Sequence, residues 1–230
     1  MITTVVFDLD DTLYDEIDYC RSGFASVAEF LANLPGFANP ERIFDCLWNQ
    51  FTAGNRTKTF NAALAEIGLP PNTDEGDLIP RLIEVYRNHV PRLTLPPDSR
   101  QILTTLSSKY TLAMLTDGFL PAQKLKVRAL QIEEFFKCIV YTEELGRQYW
   151  KPSPAGFEKI IRILNAAPQS IAYVADNEKK DFIAPNQLGF ATVRLVRPAR
   201  IHTESAPEPH ATAGHLIEKI AELPALLDKL

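Results

Sequence analysis

Three carboxylates follow the first apolar run of this chain within four positions. Val5-Val6-Phe7 leads directly into Asp8-Leu9-Asp10-Asp11-Thr12. Like charges this close repel one another and lose hydration when buried, so they persist where a cation or a reaction requires them. Alternate residues of a strand share a face, so we expect Asp8 and Asp10 to project together at the carboxyl end of a strand, where open α/β sheets bind ligands. The alternative is a solvated turn that caps the next helix.

A second aspartate pattern lies far downstream and repeats this arrangement. The apolar run Ile171–Ala175 ends in Asp176-Asn177, and Asp181 follows five positions after Asp176. Magnesium prefers oxygen ligands and usually takes one or two protein carboxylates together with water and phosphate. Asp8 and Asp176, from two different strand ends, would suit such a site. The alternative is a helix start at which these acidic residues favour the helix dipole.

Two further polar positions could bind phosphate. Thr116-Asp117-Gly118 follows an apolar run and combines a hydroxyl with the backbone amides of a turn, a combination that holds a phosphate oxygen well. Lys151 stands between a polar loop and two prolines, where it could neutralise a phosphoryl group as a point charge. Taken singly, the first is an ordinary Asp-Gly turn and the second a solvated lysine; the argument for a site rests on their combination with the aspartates.

The elements that would position these residues fall into two groups. Four consecutive amphipathic helices are predicted over residues 17–34, 40–51, 57–69 and 77–90, the second capped by Asn39-Pro40. Helices in succession without a strand indicate a helical bundle inserted after the first strand. The predicted domains are therefore a helical cap at 16–95 and a core formed by 1–15 and 96–230.

The second group alternates between strands and helices from residue 101 onward. Strands are predicted at 110–115, 138–141, 171–175 and 191–195, with helices at 101–106, 121–130 and 157–164 between them. This alternation predicts an α/β fold with a doubly wound parallel sheet. Residues 197–210 are rich in proline and are predicted to form a surface loop, and residues 215–227 are predicted to be helical at least in part.

Composition narrows the class of partner. The 230 residues carry a net charge of −5 and no long basic run, which disfavours nucleic acid and anionic membranes as partners. No apolar run is long enough to span a bilayer, and the chain runs from its first residues straight into the Asp-rich strand instead of a signal peptide. Three widely spaced cysteines match no metal-ligand pattern and predict small buried side chains in a reducing compartment. These features predict a cytoplasmic protein.

The ordered set of Asp8-Leu9-Asp10-Asp11-Thr12, Thr116, Lys151, and Asp176 with Asp181 resembles the haloacid dehalogenase (HAD) superfamily. The inserted helices resemble the helical cap of that superfamily. The segment from Thr116 through Gln123-Lys124 to Leu130 is most similar to the branch of nucleoside monophosphatases and N-acylneuraminate-9-phosphatases. Asp117 stands where that branch often has asparagine, and Ala175 where a glycine commonly precedes the metal-binding aspartate.

The resemblance implies a role for each matching residue. Asp8 would be the nucleophile that forms an aspartyl-phosphate, and Asp10 would protonate the leaving oxygen and then activate water. Thr116, the Asp117-Gly118 turn and Lys151 would bind the phosphoryl oxygens. Magnesium would be held by Asp8, Asp176 and the carbonyl of Asp10. Asp181 would orient Lys151 or a metal-bound water, and Asn177 would lie beside it without contacting the metal.

The implied activity is magnesium-dependent hydrolysis of a small phosphomonoester, either a sugar phosphate or a nucleoside monophosphate. Two alternatives stay open: a dehalogenase-type hydrolase, and a catalytically idle binding or regulatory protein. In the predicted cap, Arg21, Arg56 and Lys58 are candidates for contacting the part of the substrate that leaves with the phosphate oxygen, although each could equally be a solvated surface charge.

Overall fold

The computed structural model describes all 230 residues, and its core is a six-stranded sheet in which all neighbouring strands are parallel. The order of strands across the sheet is β3-β2-β1-β4-β5-β6. The strands are β1 (Thr4–Phe7), β2 (Thr111–Thr116), β3 (Cys138–Tyr141), β4 (Ile171–Ala175), β5 (Ala191–Leu195) and β6 (His215–Ile217). Since β1 and β4 lie in the middle and are buried along their length, their sequences are apolar without alternation.

The direction of winding reverses between β1 and β4. From β1 the chain proceeds to β2 and β3 on one side of the sheet, and then returns to β4, β5 and β6 on the other. Such a switch point opens a crevice at the carboxyl ends of the strands, because the loops leave in opposite directions. Asp8 follows β1 and Asp176 follows β4, so the topology places both aspartates at this crevice.

Helices cover the two faces of the sheet. On one face, Val6, Leu115 and Tyr173 form a buried core with Phe157 and Ile160. The helices of the whole chain are α1 (Glu16–Ala32), α2 (Pro40–Thr52), α3 (Thr59–Ile67), α4 (Glu75–Asn88), α5 (Pro97–Ser107), α6 (Ala122–Leu130), α7 (Ala155–Leu164), α8 (Ile183–Leu188) and α9 (Leu223–Leu227). The α7 helix supplies Phe157 and Ile160, while α5 packs near α9 and β2.

Residue contacts divide the chain into two compact units. One unit, called the core unit here, comprises residues 1–17 and 94–230, and the other, the helical unit, comprises residues 18–93. Inside the helical unit, Phe24 packs against a group of aromatic rings at centroid distances of 5.3–6.5 Å: Trp48, Phe51, Phe60 and Tyr86. Asn39 caps α2 by accepting a hydrogen bond from the Arg42 amide, as its sequence predicts.

The α/β fold with a parallel sheet and inserted helices is confirmed, and the structure corrects one local prediction and adds two local features. Residues 215–217 form the edge strand β6 instead of a helix, and only residues 223–227 at the end of that segment are α-helical. The short helix α8 is not among the predicted elements, and it begins at Ile183, so the aspartates at 176 and 181 lie in a loop instead of a helix start. The predicted surface loop at 197–210 contains Ile201, which is 7% exposed.

The structure also describes the cysteines and the apolar character of the helices. All three cysteines are free thiols, with Cys20 and Cys46 buried and Cys138 partly buried. None of the helices combines the length and the apolar character that crossing a membrane would require.

The packing of α7 generates a stability prediction. Phe157 is fully buried between Tyr173 and Phe190, at centroid distances of 4.9 and 5.9 Å, whereas Ile163 on the same helix is 51% exposed. Removing a buried aromatic ring loses its transfer free energy and leaves a cavity, so Phe157→Ala should lower the free energy of unfolding by about 3–5 kcal/mol. The matched change Ile163→Ala should lower it by less than about 1 kcal/mol. Urea unfolding of both variants is the measurement, and equal losses would contradict the assignment of the two faces.

Candidate active site

An acidic cavity opens at the carboxyl edge of the sheet. Its lining includes six carboxylates and three other polar residues: Asp8, Asp10, Asp11, Glu16, Asp117, Asp176, Asn177, Lys180 and His202. The cavity therefore brings together the two aspartate motifs that the sequence places 168 positions apart, from Asp8 to Asp176. All of these residues belong to the core unit.

Lys151 joins the two motifs at the base of this site. Its Nζ lies 2.7 Å from Asp8 Oδ1 and 2.6 Å from Asp181 Oδ1, and its side chain is 1% exposed. Although burial disfavours the charge of Lys151, Asp181 and Asp8 hold its pKa well above the ordinary value. Tyr173 accepts a further hydrogen bond from the Lys151 ammonium at 3.1 Å. A lysine fixed in this way keeps its positive charge within reach of any group that is bound at Asp8.

Both carboxylate oxygens of Asp181 contact neighbouring residues. Besides Lys151, it accepts a hydrogen bond from the Asn177 backbone amide at Oδ2 (3.0 Å) and one from the Tyr173 hydroxyl at Oδ1 (3.4 Å). The Asn177 side chain in turn accepts a hydrogen bond from the Lys179 amide. Asp181 and Asn177 therefore brace the loop that carries Asp176.

Asp176 is the carboxylate with an unsatisfied oxygen. Its Oδ2 is buried and has no hydrogen-bond partner. Burial and the charges of Asp181, Asp8 and Asp11 raise the pKa of Asp176 to about 9, and burial raises the pKa of Asp8 to about 7 against the opposing effect of Lys151. A buried carboxylate that lacks a partner and faces other carboxylates is a natural ligand for a cation.

Oxygen atoms of Asp8, Asp176 and Asp181 lie within 4.8 Å of one another, so this buried group could bind a divalent metal ion. Both oxygens of Asp181 already have partners, which leaves Asp8 and Asp176 as the better ligands. The third predicted metal residue, Asp10, uses both of its carboxylate oxygens in other contacts, so only its backbone carbonyl could take part. The donor set fits a hard cation, because every candidate ligand is an oxygen atom.

Asp10 is held by three donors from the core unit. Lys126 Nζ and the Tyr14 hydroxyl contact Oδ1 at 2.8 and 2.5 Å, and Gln123 Nε2 donates to Oδ2 at 2.8 Å. Although burial opposes ionisation, Lys126 and these hydrogen bonds hold the pKa of Asp10 below its usual value. The side chain therefore stands as a charged, fixed carboxylate that lines the same cavity as Asp8.

The predicted phosphate-binding turn packs against the site. The Thr116 hydroxyl is buried and accepts a hydrogen bond of 2.6 Å from Gln123. The Asp117 carboxylate accepts hydrogen bonds from the Lys151 amide, the Thr142 hydroxyl and Lys180 Nζ, at 2.8–3.2 Å. Although burial opposes ionisation, Lys151 and Lys180 lower the pKa of Asp117. This side chain thus fixes the turn against the segment that presents Lys151.

The tentative specificity residues lie in the helical unit, on its surface. The Arg21 guanidinium stacks over Trp48 at 4.6 Å from the ring centroid, and that of Arg56 lies 5.8 Å from the centroid of Phe51. Lys58 is the residue before α3 and makes no side-chain capping bond. All three residues are exposed.

Several residues of the site were missed from the sequence. Asp10 is contacted by Gln123 and Lys126 from α6, whose sequence is that of an ordinary amphipathic helix, and by Tyr14 from the loop before α1. The loop at 197–202 was also missed: its Ile201 amide donates to Asp11 Oδ2 (2.7 Å), and Arg197 pairs with Asp15 (2.6 Å). The available signal was a pair of polar residues, Gln123 and Lys126, on the inner side of a helix at three-residue spacing.

With the geometry established, comparison with known proteins identifies the family. The family model described as haloacid dehalogenase-like hydrolase matches residues 2–189. The chain belongs to this family. It is therefore a HAD-like hydrolase, and the resemblance inferred from the motifs is confirmed.

Curated relatives of this hydrolase are phosphatases. It is 25% identical to the N-acylneuraminate-9-phosphatase of Mus musculus, over 100% of this chain and 95% of that protein. It is 30% identical to the glyceraldehyde 3-phosphate phosphatase of Methanopyrus kandleri, over 86% and 85% of the two chains. The predicted similarity to the N-acylneuraminate-9-phosphatase branch is confirmed. A 2-haloacid dehalogenase from Pseudomonas syringae pv. Tomato DC3000 shares the fold, with a TM-score of 0.67 and 22% identity over 100% and 99% of the chains.

The crowding of carboxylates generates a prediction about stability and metal binding. In the folded protein the pKa of Asp176 is raised to about 9, above its value of about 4 in an unfolded chain. The folded state therefore binds more protons than the unfolded state between these values, so this group makes the metal-free protein less stable as the pH rises through that window. Asp176→Asn should raise the melting temperature of the metal-free protein more at pH 8 than at pH 5.

We expect a divalent metal ion to raise the melting temperature of the wild type, and the same variant should lose this stabilisation, because an amide is a weaker ligand than a carboxylate. Melting temperatures measured in chelator and in millimolar magnesium test both statements. A matched control is Asp228→Asn, which removes an exposed carboxylate of the same unit. A variant at 176 that melted below the wild type in chelator at pH 8 would contradict the electrostatic argument.

Proposed function

We propose that this hydrolase is a magnesium-dependent phosphatase that cleaves a small phosphomonoester through an aspartyl-phosphate at Asp8. The observation that supports this most directly is the arrangement around Asp8. A buried lysine lies 2.7 Å from one of its oxygens, and Asp176, whose Oδ2 lacks a partner, belongs to the same acidic group. A carboxylate nucleophile, a fixed positive charge and an oxygen atom that can bind a metal ion are the parts that phosphoryl transfer requires.

In the first step an oxygen of Asp8 attacks phosphorus, and the bond between phosphorus and the leaving oxygen breaks. Lys151 neutralises charge on the phosphoryl oxygens, and the Thr116 hydroxyl with the amides of the Asp117-Gly118 turn provides hydrogen-bond donors. Asp10 gives a proton to the leaving oxygen. The negative charge of an incoming phosphate favours this protonated form, because it raises the pKa of a nearby carboxyl.

In the second step Asp10 acts as a base. It takes a proton from a water molecule, whose oxygen attacks phosphorus, and the bond between phosphorus and Asp8 breaks. The resting structure already presents Asp10 in the charged form that this step requires, held by Lys126, Gln123 and Tyr14. Magnesium, when bound by Asp8, Asp176 and the Asp10 carbonyl, would offset the repulsion between the carboxylate nucleophile and the anionic phosphate.

The proposed substrate is a sugar phosphate or a nucleoside monophosphate. Support comes from the names of the curated relatives, which act on an acylneuraminate phosphate and on glyceraldehyde 3-phosphate. The helical residues 16–95 are proposed to form a cap that contacts the part of the substrate beyond the phosphate. Within it, Arg21, Arg56 and Lys58 offer positive charge for a second anionic or hydroxyl-rich group.

A dehalogenase reaction is the second candidate, since a dehalogenase shares the fold. It would need the nucleophile, but neither a general acid nor a metal ion. The cavity here keeps the acidic residues Asp10 and Asp176 in addition to Asp8. An idle binding protein would have no need of these buried charges, which are costly to maintain. The phosphatase is therefore the function that uses all three of these aspartates in the cavity of this chain.

Substitution of the first two aspartates tests the mechanism. With p-nitrophenyl phosphate and magnesium, Asp8→Asn should abolish phosphate release and covalent labelling, because an amide cannot act as the nucleophile. Asp10→Asn should lower turnover by about 10²–10⁴-fold, the usual value of acid–base assistance, while Asp8 is still phosphorylated by this activated ester. Phosphate release and acid-stable labelling of the protein are the two measurements.

The same assay separates the candidate functions. Turnover should fall in chelator and return with magnesium. Near-normal rates for Asp8→Asn would remove the nucleophile assignment, and failure of the wild type on a broad panel of phosphate esters would remove the phosphatase proposal. Release of halide from a 2-haloacid without added metal would favour the dehalogenase instead.

The positive residues of the helical unit generate a prediction about specificity. If Arg56 and Lys58 contact the substrate, Arg56→Ala and Lys58→Ala should lower kcat/KM for sugar-acid phosphates and nucleotides by about tenfold or more, and leave p-nitrophenyl phosphate unaffected. Arg81→Ala is the matched control, since Arg81 is an exposed arginine of the same unit that also lies over an aromatic ring, Phe30. An unchanged profile across the panel in both variants would remove these residues from the site and leave the phosphatase proposal intact.

A further inference from the structure

The contacts of Asp10 point to positioning residues that have no role in the predicted site. Three donors converge on one carboxylate: Lys126 Nζ and the Tyr14 hydroxyl on Oδ1, and Gln123 Nε2 on Oδ2. Each distance is 2.8 Å or less, so these are strong contacts to a charged acceptor. We propose that Lys126, with Gln123 and Tyr14, forms a clamp that holds Asp10 in the position from which it exchanges protons with the leaving group and with water.

The Lys126 side chain is buried beside Asp10. Its side chain is 4% exposed, although a lysine is rarely buried without a partner. A second carboxylate, Glu16, lies at 3.9 Å from the same Nζ, but Asp10 is closer at 2.8 Å. The charge of Lys126 is therefore directed mainly at Asp10.

Gln123 links the acid–base residue to the predicted phosphate site. The same Nε2 group that donates to Asp10 also donates to the Thr116 hydroxyl, at 2.6 Å. Gly118 makes room for this side chain: its φ is +141°, and a Cβ at this position would lie 2.7 Å from Gln123 Cδ. The spacing between Asp10 and Thr116 is thus fixed by one amide, which a residue with a side chain at position 118 would displace.

Gln123 and Lys126 lie on a different face of α6 from its solvent-exposed lysine, Lys124. Gln123 and Lys126 are three residues apart and therefore share one face of the helix. Lys124 points elsewhere, since its side chain is 49% exposed and pairs with Glu144 at 2.7 Å. Lys124 is for this reason a control of the same residue type on the same helix.

The inference rests on the proposed function and is tested by resolving the two chemical steps. With p-nitrophenyl phosphate, Lys126→Met should leave phosphorylation of Asp8 within about tenfold of wild type, because p-nitrophenolate needs little help from an acid. Hydrolysis of the aspartyl-phosphate, which needs Asp10 as a base, should fall by roughly 10²-fold. Rapid mixing should therefore show a burst of p-nitrophenol, close to one per enzyme molecule, that exceeds any burst of the wild type.

Leaving-group dependence gives a second readout that a merely structural role would not change. Turnover of an alkyl ester, glycerol 3-phosphate, should also fall by roughly 10²-fold in Lys126→Met, but without a burst, because protonation of its leaving oxygen becomes limiting. Lys126→Arg should restore most of the rate, and Lys124→Met should behave as the wild type. If Lys126→Met does not fold, Tyr14→Phe and Gln123→Leu should show the same burst with smaller losses.

The outcomes distinguish the inference from the function on which it rests. If Asp8→Asn is inactive but the clamp variants slow both substrates equally without a burst, or match Lys124→Met, the clamp is overturned and the phosphatase stands. If Asp8→Asn keeps its activity, the proposed function itself fails, and the clamp with it.

Discussion

The structure depends on the ion pairs that Lys151 makes with Asp8 and Asp181. The lysine is 1% exposed and lies between the two carboxylates at 2.7 and 2.6 Å, in a region where each charge alone would be expensive. Buried ion pairs often contribute little to stability, because desolvation offsets their attraction. This arrangement makes sense as a preorganised site: the positive charge is already in place, so no reorganisation is required when a phosphate arrives.

The same region contains more negative charge than Lys151 can balance. Burial, together with neighbouring charges, raises the pKa of four cavity carboxyls, to about 6 for Asp11, about 7 for Asp8, about 8 for Glu16 and about 9 for Asp176. The imbalance is largest on the Asp176 side, where one oxygen lacks a hydrogen-bond partner. On the Asp10 side, in contrast, Lys126 compensates the charge directly. The two aspartates therefore differ: Asp176 keeps an unsatisfied oxygen that suits a cation, whereas Asp10 already has a positive partner at 2.8 Å.

Much of the fold could be predicted from the sequence, because its central strands are unambiguous. β3, β4 and β5 have the predicted bounds, since each is a short apolar run between clear turn residues. The prediction of a helix at residues 215–217, which form β6, was wrong for a physical reason. A three-residue edge strand is too short to show the alternation of a strand, and the apolar residues that follow it do form short helical turns. Asp8 and Asp176 could be predicted because charged residues at the ends of buried strands contradict their surroundings, whereas Lys151 could be predicted only in combination with them.

The rest of the site could not be predicted, because its signal is tertiary. Lys126 and Gln123 lie in an amphipathic helix where a lysine and a glutamine are usual, and only the folded structure shows that both are buried and contact Asp10. The loop at 197–202 gives a second example, since its sequence indicates only irregular structure. Asp11 nevertheless binds the Ile201 amide, and this contact brings His202 to the lining of the cavity.

This loop lies beyond the segment that matches the family model, which ends at residue 189. The part of the chain that matches the family model therefore includes Asp8, Lys151 and Asp176, whereas the loop that follows β5 completes the wall of the cavity. Because Arg197 pairs with Asp15 and Ile201 binds Asp11, the loop is held against the turn that follows Asp8. A residue of this loop that contacted a substrate would therefore keep a fixed position relative to Asp8. Such a fixed position is required of any residue that orients a substrate for reaction.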